Sequence, residues 1–333
     1  MKKSLLALAV LGSFATVASA QSSVTLWGIV DVSAKAVKND GVDTLKSLAT
    51  NGINSSRLGF RGTEDLGGGL KAGFWLEGSI SPDTGAGKGG GGLQFDRRST
   101  VSLMGGFGEL RLGRDYTPTF WNTTIFDPFG TNGVGSSINL SHYVPQPNYV
   151  RASNSIGYLA PKMGGLYGQL MVAAGENTIG HYVGGRIGFA SGPFNVAASV
   201  GKTDEFGATP EFQVWNIAGS WDFGMATVMA QYNNEEFGTA EENRALLGVS
   251  VPMGQGTLNA SYVRTDEDGN AGRDASQLAL GYVYSLSKRT AVYGTVARID
   301  NKDNATFSIG GGNAGIDAGG NSTGFELGLR HSF

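Results

Sequence analysis

A period of two in the apolar residues, repeated in many short segments, constrains this chain more than any other feature. Near the carboxyl end, Phe325, Leu327 and Leu329 alternate with residues that are polar or tiny. The same alternation recurs in residues 194–201 and 277–284. A period of two over about ten residues is typical of a β-strand with one apolar and one polar face. The sequence therefore predicts an all-β protein.

The connections between these segments alternate between short and long. Short turn signals occur near residues 64–69, 104–108, 161–165, 190–193, 222–224, 252–256 and 286–289. Longer polar segments are centred near residues 45, 87, 132, 178, 206, 238, 270 and 311. Seven short and eight long connections make fifteen, which predicts sixteen antiparallel strands. All nine prolines fall in or beside these connections, where a missing N–H does not interrupt a strand ladder.

The first twenty residues form a segment of a different kind. Lys2 and Lys3 precede a short apolar stretch over residues 5–17, and residues 18–20 read Ala-Ser-Ala. This is the pattern of a secretory signal peptide with its cleavage site. The stretch is shorter than the ~20 residues that a membrane-spanning helix needs. We therefore predict a cleaved signal peptide over residues 1–20 and one exported domain over residues 21–333.

Composition and chain order together select the architecture of the exported domain. Only 16% of the residues are charged, against roughly 25% in soluble domains. In hydrocarbon every backbone polar group needs an internal partner, and a closed sheet provides one without helices. A soluble β-sandwich, such as a surface adhesin, is the alternative, but it does not require strict alternation of short turns and long loops. We predict a 16-stranded antiparallel transmembrane β-barrel in an outer membrane.

Such a barrel encloses more space than side chains can fill, so its lumen should contain water and form a pore. The formal net charge of −3 argues against a nucleic-acid partner, and the lack of cysteine excludes a thiolate metal site. The hydrolase-like pattern around Ser322 lacks a suitably placed acid and histidine, so we predict no enzyme, no catalytic residue and no metal site. We predict no cofactor either, although the acidic segment 266–274 leaves loop-bound calcium open.

Three segments and the last residue carry a resemblance to a known family. Residues 56–77, 95–103 and 107–118, together with Phe333, resemble the general, non-specific porins of Gram-negative outer membranes. The resemblance extends more loosely over residues 24–333. It implies a homotrimer of the anion-preferring subgroup, with the third long loop folded into each lumen and Phe333 as the C-terminal assembly residue. It also implies contacts with outer-membrane lipid, lipopolysaccharide and the barrel-assembly machinery.

The third long connection, roughly residues 115–150, is the longest of the eight and holds four of the nine prolines. Because it is rich in aromatic residues, we expect it to pack against the inner wall, and the resemblance implies that it narrows the channel as a constriction loop. Its candidate residues are Asp115, Trp121, Asp127 and Phe129. Asp127 lies one residue earlier than the carboxylate in the corresponding turn of the porin family, so the position of a carboxylate at the loop tip stays open.

Residue parity assigns the basic side chains of the wall. Where Leu58 and Phe60 face lipid, Arg57 must face the lumen, and the same test turns Arg98 and Arg151 inward. These three arginines lie roughly six to ten residues from the short-turn rim, near mid-height, so we predict that they form a positive column beside the constriction. Basic rings in a narrow pore favour anions. Further basic residues that the test places in the lumen are Arg61, Lys71, Arg186 and Arg244.

Two alternatives remain for this column. Each arginine could instead pair with a wall carboxylate and only stabilise the barrel, although parity assigns nine basic and four acidic side chains to the lumen. Arg97 has lipid parity, and a shift of its strand by one residue would exchange Arg97 with Arg98.

The predicted function is passive diffusion of small hydrophilic solutes and ions, both anionic and neutral, with a preference for anions. In this mechanism the third loop sets the size limit and the arginine column sets the charge preference. The alternatives are a substrate-specific outer-membrane channel for an anionic nutrient and an outer-membrane hydrolase.

Overall fold

The chain closes into one antiparallel β-barrel. The structure is a computed structural model that describes residues 23–87, 91–268, 272–310 and 315–333. The first strand pairs with the last strand as well as with its neighbour in sequence, so the sheet closes on itself. Sixteen strands form the wall, which confirms the predicted fold. The predicted signal peptide, residues 1–20, lies outside the described residues.

In chain order the strands are β1 (Ser23–Asn39), β2 (Leu45–Thr50), β3 (Arg57–Gly67), β4 (Leu70–Ser81), β5 (Ala86–Gly87), β6 (Arg98–Gly105), β7 (Gly108–Tyr116), β8 (Arg151–Leu159), β9 (Leu166–Ala173), β10 (Tyr182–Ser191), β11 (Phe194–Thr203), β12 (Phe212–Asp222), β13 (Thr227–Phe237), β14 (Ala240–Met253), β15 (Gly256–Asp268), β16 (Ala275–Ser285), β17 (Thr290–Asn301) and β18 (Asn321–Ser332). The short strand β2 pairs with the second half of β1, β5 pairs with the end of β4, and the other sixteen form the wall. The third long loop contains the α-helix α1 (Pro118–Ile125) and a short 3-10 helix, Ser137–Leu140. No helix within these described ranges has both the length and the apolar character required to cross a membrane.

The two faces of the strands differ as their period of two predicts. In β18, Phe325 and Leu327 are 50% and 58% exposed, while Glu326 between them is 1% exposed. In β12, Trp215 is 44% exposed and Asn216 is 1% exposed. Apolar side chains that are exposed around a closed sheet suit contact with lipid. The buried polar side chains point into the barrel, where the third loop covers many of them.

The seven predicted short turns join the strands at one rim, but one predicted long connection at the other rim is wrong. Strands β13 and β14 are joined by a two-residue turn that begins at Gly238. The pairing continues up to Phe237 and Ala240, and Gly238 takes the positive φ of 62° that such a turn favours. Asn234 donates a hydrogen bond of 3.0 Å to Asn243 across this pair. The polar residues around position 238 therefore belong to paired strands.

The third long loop, residues 117–150, enters the barrel directly after β7. Thr117 caps α1, since its side-chain oxygen accepts a hydrogen bond from the N–H of Phe120. Asn122 on this helix donates to the side-chain oxygen of Asn216 on the inner wall at 2.8 Å. The helix is therefore held against the wall near β12.

The second half of the loop attaches farther around the barrel. The N–H of Val134 donates to Glu326 at 3.2 Å, and the side chain of Gln277 donates to the carbonyl of Gly135 at 3.2 Å. Leu140 is fully buried in the apolar cluster beside these contacts. The loop thus runs from β7 to β16 and β18 through the lumen, which confirms the predicted inward fold.

Candidate functional site

The third loop leaves an open channel along one side of the barrel. This space has a volume of about 630 Å³. The wall contributes Arg57, Arg97 and Arg151 to its lining, and the loop contributes mainly aromatic, apolar and hydroxyl side chains, among them Trp121 and Thr124. Three guanidinium groups of the wall therefore border this space.

One carboxylate on β4 holds two of these arginines. Glu77 accepts a hydrogen bond from Nε of Arg97 at 2.6 Å and from Nη1 of Arg57 at 3.2 Å. Its second oxygen accepts a hydrogen bond from the indole N–H of Trp75 at 3.0 Å. Because a single carboxylate serves two guanidinium groups, this part of the wall keeps a positive charge.

An aromatic ring holds the third arginine. The guanidinium carbon of Arg151 lies 4.1 Å from the ring centre of Tyr116, a cation–π geometry. The hydroxyl of Tyr116 accepts a hydrogen bond from Nη2 of Arg97 at 2.9 Å. Arg151 forms no ion pair within the described part of the chain. The cluster therefore combines three guanidinium groups with one carboxylate.

The predicted position of Arg98 needs correction. Arg98 pairs with Glu77 in the ladder between β6 and β4, whereas Arg57 pairs with Ser79, two residues closer to the loop rim along β4. Its guanidinium lies over the Trp75 ring at 4.6 Å and outside the channel beside the third loop. Arg97 takes its place, because it precedes the first residue of β6 and is not bound by strand parity.

Arg151 lies in the channel, although strand parity does not explain how it gets there. The register between β7 and β8 shifts at a β-bulge, and Asn154 takes a positive φ of 56°. Between Arg151 and this bulge, Ala152 is fully buried, whereas Arg151 and Ser153 on either side of it are partly exposed. Arg151 is the first residue of β8 and pairs with Tyr116 in the ladder, which brings it to the channel from the loop rim.

The four candidate residues of the constriction loop have different surroundings. Trp121 is partly exposed in the channel, with its ring centre 5.1 Å from that of Tyr116. Phe129 is 8% exposed, and it packs into an apolar cluster and also borders the channel. Asp115 lies at the end of β7 and forms an ion pair with Arg111 at 2.5 Å.

The fourth candidate, Asp127, folds back onto its own loop. Its carboxylate accepts hydrogen bonds from the backbone N–H groups of Phe129 at 2.8 Å, Ser137 at 3.1 Å and Thr131 at 3.2 Å. Burial raises the pKa of this carboxyl, while the hydrogen bonds act in the opposite direction. The side chain is 4% exposed and holds the backbone of its own loop, at the edge of the channel lining.

The sequence of this chain is similar over its whole length to that of a protein of known family. A family model described as Gram-negative porin matches residues 7–304. Outer membrane porin protein 32 of Delftia acidovorans is 40% identical over 356 aligned positions, which cover 100% of both chains. The chain belongs to the Gram-negative porin family.

Solved porin structures agree with the family and the fold. An anion-selective porin from Comamonas acidovorans superposes with a TM-score of 0.88 and 39% identity, covering 94% of this chain and 100% of that one. The trimer form of OmpT of Vibrio cholerae shares the fold at a TM-score of 0.70 and 14% identity, covering 94% and 99% of the two chains. This protein is an outer-membrane porin, and its open lumen suits passive passage.

The further basic residues predicted in the lumen differ in what they contact in this porin. Arg186 donates to Asn122 of α1 at 2.8 Å, so it holds the third loop. Arg244 is fully buried between the wall and the loop. Arg61 and Lys71 are exposed on the two strands that follow β2, nearer to the rim of short turns.

Several groups that shape this porin lumen were not found in the sequence. Tyr116 contacts two of the channel arginines, but an uncharged residue at a strand end gives no signal of that role. Glu235 and Glu242 are buried inside the barrel beside the turn that was predicted as a long loop. The alternation of Gln231, Asn233 and Glu235 could have revealed this strand. The predicted tally of four acidic side chains in the lumen is therefore too low.

Proposed function

We propose that this porin is a passive diffusion channel for small hydrophilic solutes and ions that prefers anions. The observation that supports the proposal is the charge of the channel wall, where Glu77 pairs with Arg57 and Arg97, and Arg151 rests on Tyr116 without an ion pair among the described residues. Asp127 on the facing loop is buried against its own backbone. The likeness to an anion-selective porin from Comamonas acidovorans also supports it.

The proposed mechanism needs no moving part and no energy source. Solutes move down their own concentration gradient, and the third loop limits their size. The arginines lower the electrostatic energy of an anion in the channel and raise that of a cation. Arginine suits this task because it stays charged and its planar group can bind a carboxylate or phosphate through two hydrogen bonds.

Reversal potentials of the purified protein in a planar bilayer under a KCl gradient test the proposal. The unmodified protein should pass chloride more readily than potassium. Changing Arg57, Arg97 and Arg151 together to Ser should lower the chloride-to-potassium permeability ratio by roughly threefold to tenfold. A preference of the unmodified protein for potassium would refute the proposal.

A matched control removes the same formal charge from the outside of the barrel. Lys202, Arg264 and Arg298 are exposed side chains, and each has an acidic neighbour within 4 Å. Changing these three residues to Ser should leave the permeability ratio unchanged. An equal effect of both triple variants would mean that net charge, and not the channel cluster, sets the preference.

We also propose that the protein is not an enzyme. The would-be nucleophile Ser322 is fully buried and donates its hydroxyl proton to Asn39 at 2.6 Å. That hydroxyl oxygen also accepts a hydrogen bond from the N–H of Ile309 at 3.1 Å. A hydroxyl in this position holds the eighth loop to the wall and has no access to a substrate.

The remaining proposals concern export and assembly. We propose cleavage of residues 1–20, assembly into homotrimers with Phe333 as the assembly residue, and contacts with outer-membrane lipid, lipopolysaccharide and the barrel-assembly machinery. The trimer form of the similar OmpT fold supports the homotrimer. N-terminal sequencing of the mature protein should begin at Gln21. An unheated sample on a denaturing gel should migrate with the mass of a trimer.

A further inference from the structure

A second cavity lies in the barrel between the constriction and the rim of short turns. It has a volume of about 370 Å³. Its charged lining residues are Arg61, Arg98 and Glu109, and Trp75 forms part of its wall. It shares none of the three channel arginines, so it is a separate place on the path through the barrel.

Arg61 has an unusual environment in this cavity. Its guanidinium carbon lies 5.2 Å from the ring centre of Trp75 and 6.0 Å from that of Trp27. The side chain is exposed, and within the described residues it has no hydrogen bond and no ion pair. A cation that rests on two aromatic rings keeps its N–H groups available for an anion.

The aromatic support under Arg61 is held in place from several sides. The indole rings of Trp27 and Trp75 meet edge to face with their centres 5.2 Å apart. The indole of Trp27 lies against the backbone of Gly59, where an added Cβ would come within 2.5 Å of the ring. Trp75 donates its N–H to Glu77, which also binds two channel arginines. The position of Arg61 is therefore built into the wall.

The acidic residue of this cavity is already paired. Glu109 accepts hydrogen bonds from Arg111 at 2.9 and 3.0 Å and from the hydroxyl of Ser102 at 2.7 Å. Arg98 lies 3.9 Å from Glu109 and 3.8 Å from Asp115, so it is partly neutralised. Among the described residues that line this cavity, Arg61 is therefore the cation that has no acidic partner.

We propose that Arg61, supported by Trp27 and Trp75, forms a second anion-binding site on the short-turn side of the constriction. The site takes one oxyanion group, a carboxylate or phosphate, of a solute in transit. It rests on the proposed passage of anions. Arg61 follows Arg57 by four residues on β3. At the usual rise and tilt of a barrel strand, this places the two arginines roughly 9 Å apart along the pore axis.

Block of the chloride current by inorganic phosphate tests this site in the reconstituted porin. Changing Arg61→Gln removes the charge and keeps a similar length. It should raise the half-blocking phosphate concentration by roughly threefold to tenfold, the loss expected for one typical hydrogen bond at a site open to water. Arg61→Lys, which keeps the charge but lacks the planar group, should give a smaller rise.

The matched control is Lys71→Gln, which removes an exposed cation from the adjacent strand β4. It should leave the half-blocking concentration unchanged. The site is refuted if phosphate does not block the unmodified channel, if Arg61→Gln has no effect, or if Arg61→Gln and Lys71→Gln have equal effects. A measurable single-channel conductance of each variant shows that it has folded.

The two proposals can fail separately. The reversal potential in a KCl gradient reports the charge preference of the whole channel, whereas phosphate block of the Arg61 variants reports this site. If the unmodified protein prefers chloride and Arg61→Gln leaves the block unchanged, the second site is wrong and the anion-preferring channel stands. If the unmodified protein prefers potassium, the proposed function itself is wrong.

Discussion

Two groups of arginines in the same barrel have opposite tasks. Arg244 is 1% exposed in its side chain and forms ion pairs with Glu235 at 2.6 Å and Glu242 at 3.3 Å. It also donates to the hydroxyl of Tyr149 on the third loop at 3.1 Å. Among the described residues, the channel cluster, Arg57, Arg97 and Arg151, forms ion pairs with one carboxylate, Glu77, and it borders open space.

The number of carboxylates around an arginine separates the two tasks. Two glutamates neutralise Arg244, and its contacts hold the third loop against the wall. In the channel cluster the positive charge exceeds the negative charge, so it remains available to a solute. Both groups are arginines on the inner wall, and they differ in their burial and in the number of their acidic partners.

Arg244→Ala should have the largest effect on stability. It leaves Glu235 and Glu242 buried without a cationic partner, which should cost about 3–5 kcal/mol of unfolding free energy. Unfolding of the detergent-solubilised barrel in guanidinium chloride measures this loss. A combined variant, Arg244→Met with Glu235→Gln and Glu242→Gln, should recover much of it, and no recovery would contradict the charge-pair explanation.

Glu77→Gln should sharpen the contrast between the two groups. It removes the carboxylate shared by Arg57 and Arg97, so the chloride-to-potassium permeability ratio should rise by roughly twofold in dilute salt. Reversal potentials at low and high KCl measure this change, which should shrink as salt screens the charges. Glu236→Gln, at the loop-rim end of β13, is the control. A fall in the ratio would show that Glu77 mainly positions the arginines.

Substitutions of Tyr116 should have the smallest effect of these three sets of changes. Tyr116→Phe keeps the ring beneath Arg151 and removes the hydrogen bond to Arg97, while Tyr116→Leu removes both contacts. The cation–π contact is worth about 0.5–1 kcal/mol at such a site, so Tyr116→Leu should lower the permeability ratio less than twofold and Tyr116→Phe still less. Equal ratios for both variants and the unmodified protein would mean that Tyr116 does not position Arg151.

Most of the fold could be predicted from local patterns, and part of the site could not. The alternation around Leu327 predicted both strand and face, because lipid contact selects every second residue. The same rule failed near Arg97 and Arg151, because Arg97 precedes its strand and a β-bulge at Asn154 separates Arg151 from the regular part of β8. The polar hairpin around Gly238 was mistaken for a loop because both its faces lie near water.

The sequence by itself determined a closed barrel of sixteen strands with an apolar exterior and a long third loop. It could do so because the membrane acts on every strand alike and leaves a repeated local signal. Only the tertiary structure decided that Arg97, and not Arg98, joins Arg57 and Arg151, and that Arg244 is neutralised. Those outcomes depend on carboxylates and rings that distant segments bring to each arginine, and such pairings have no period along the chain.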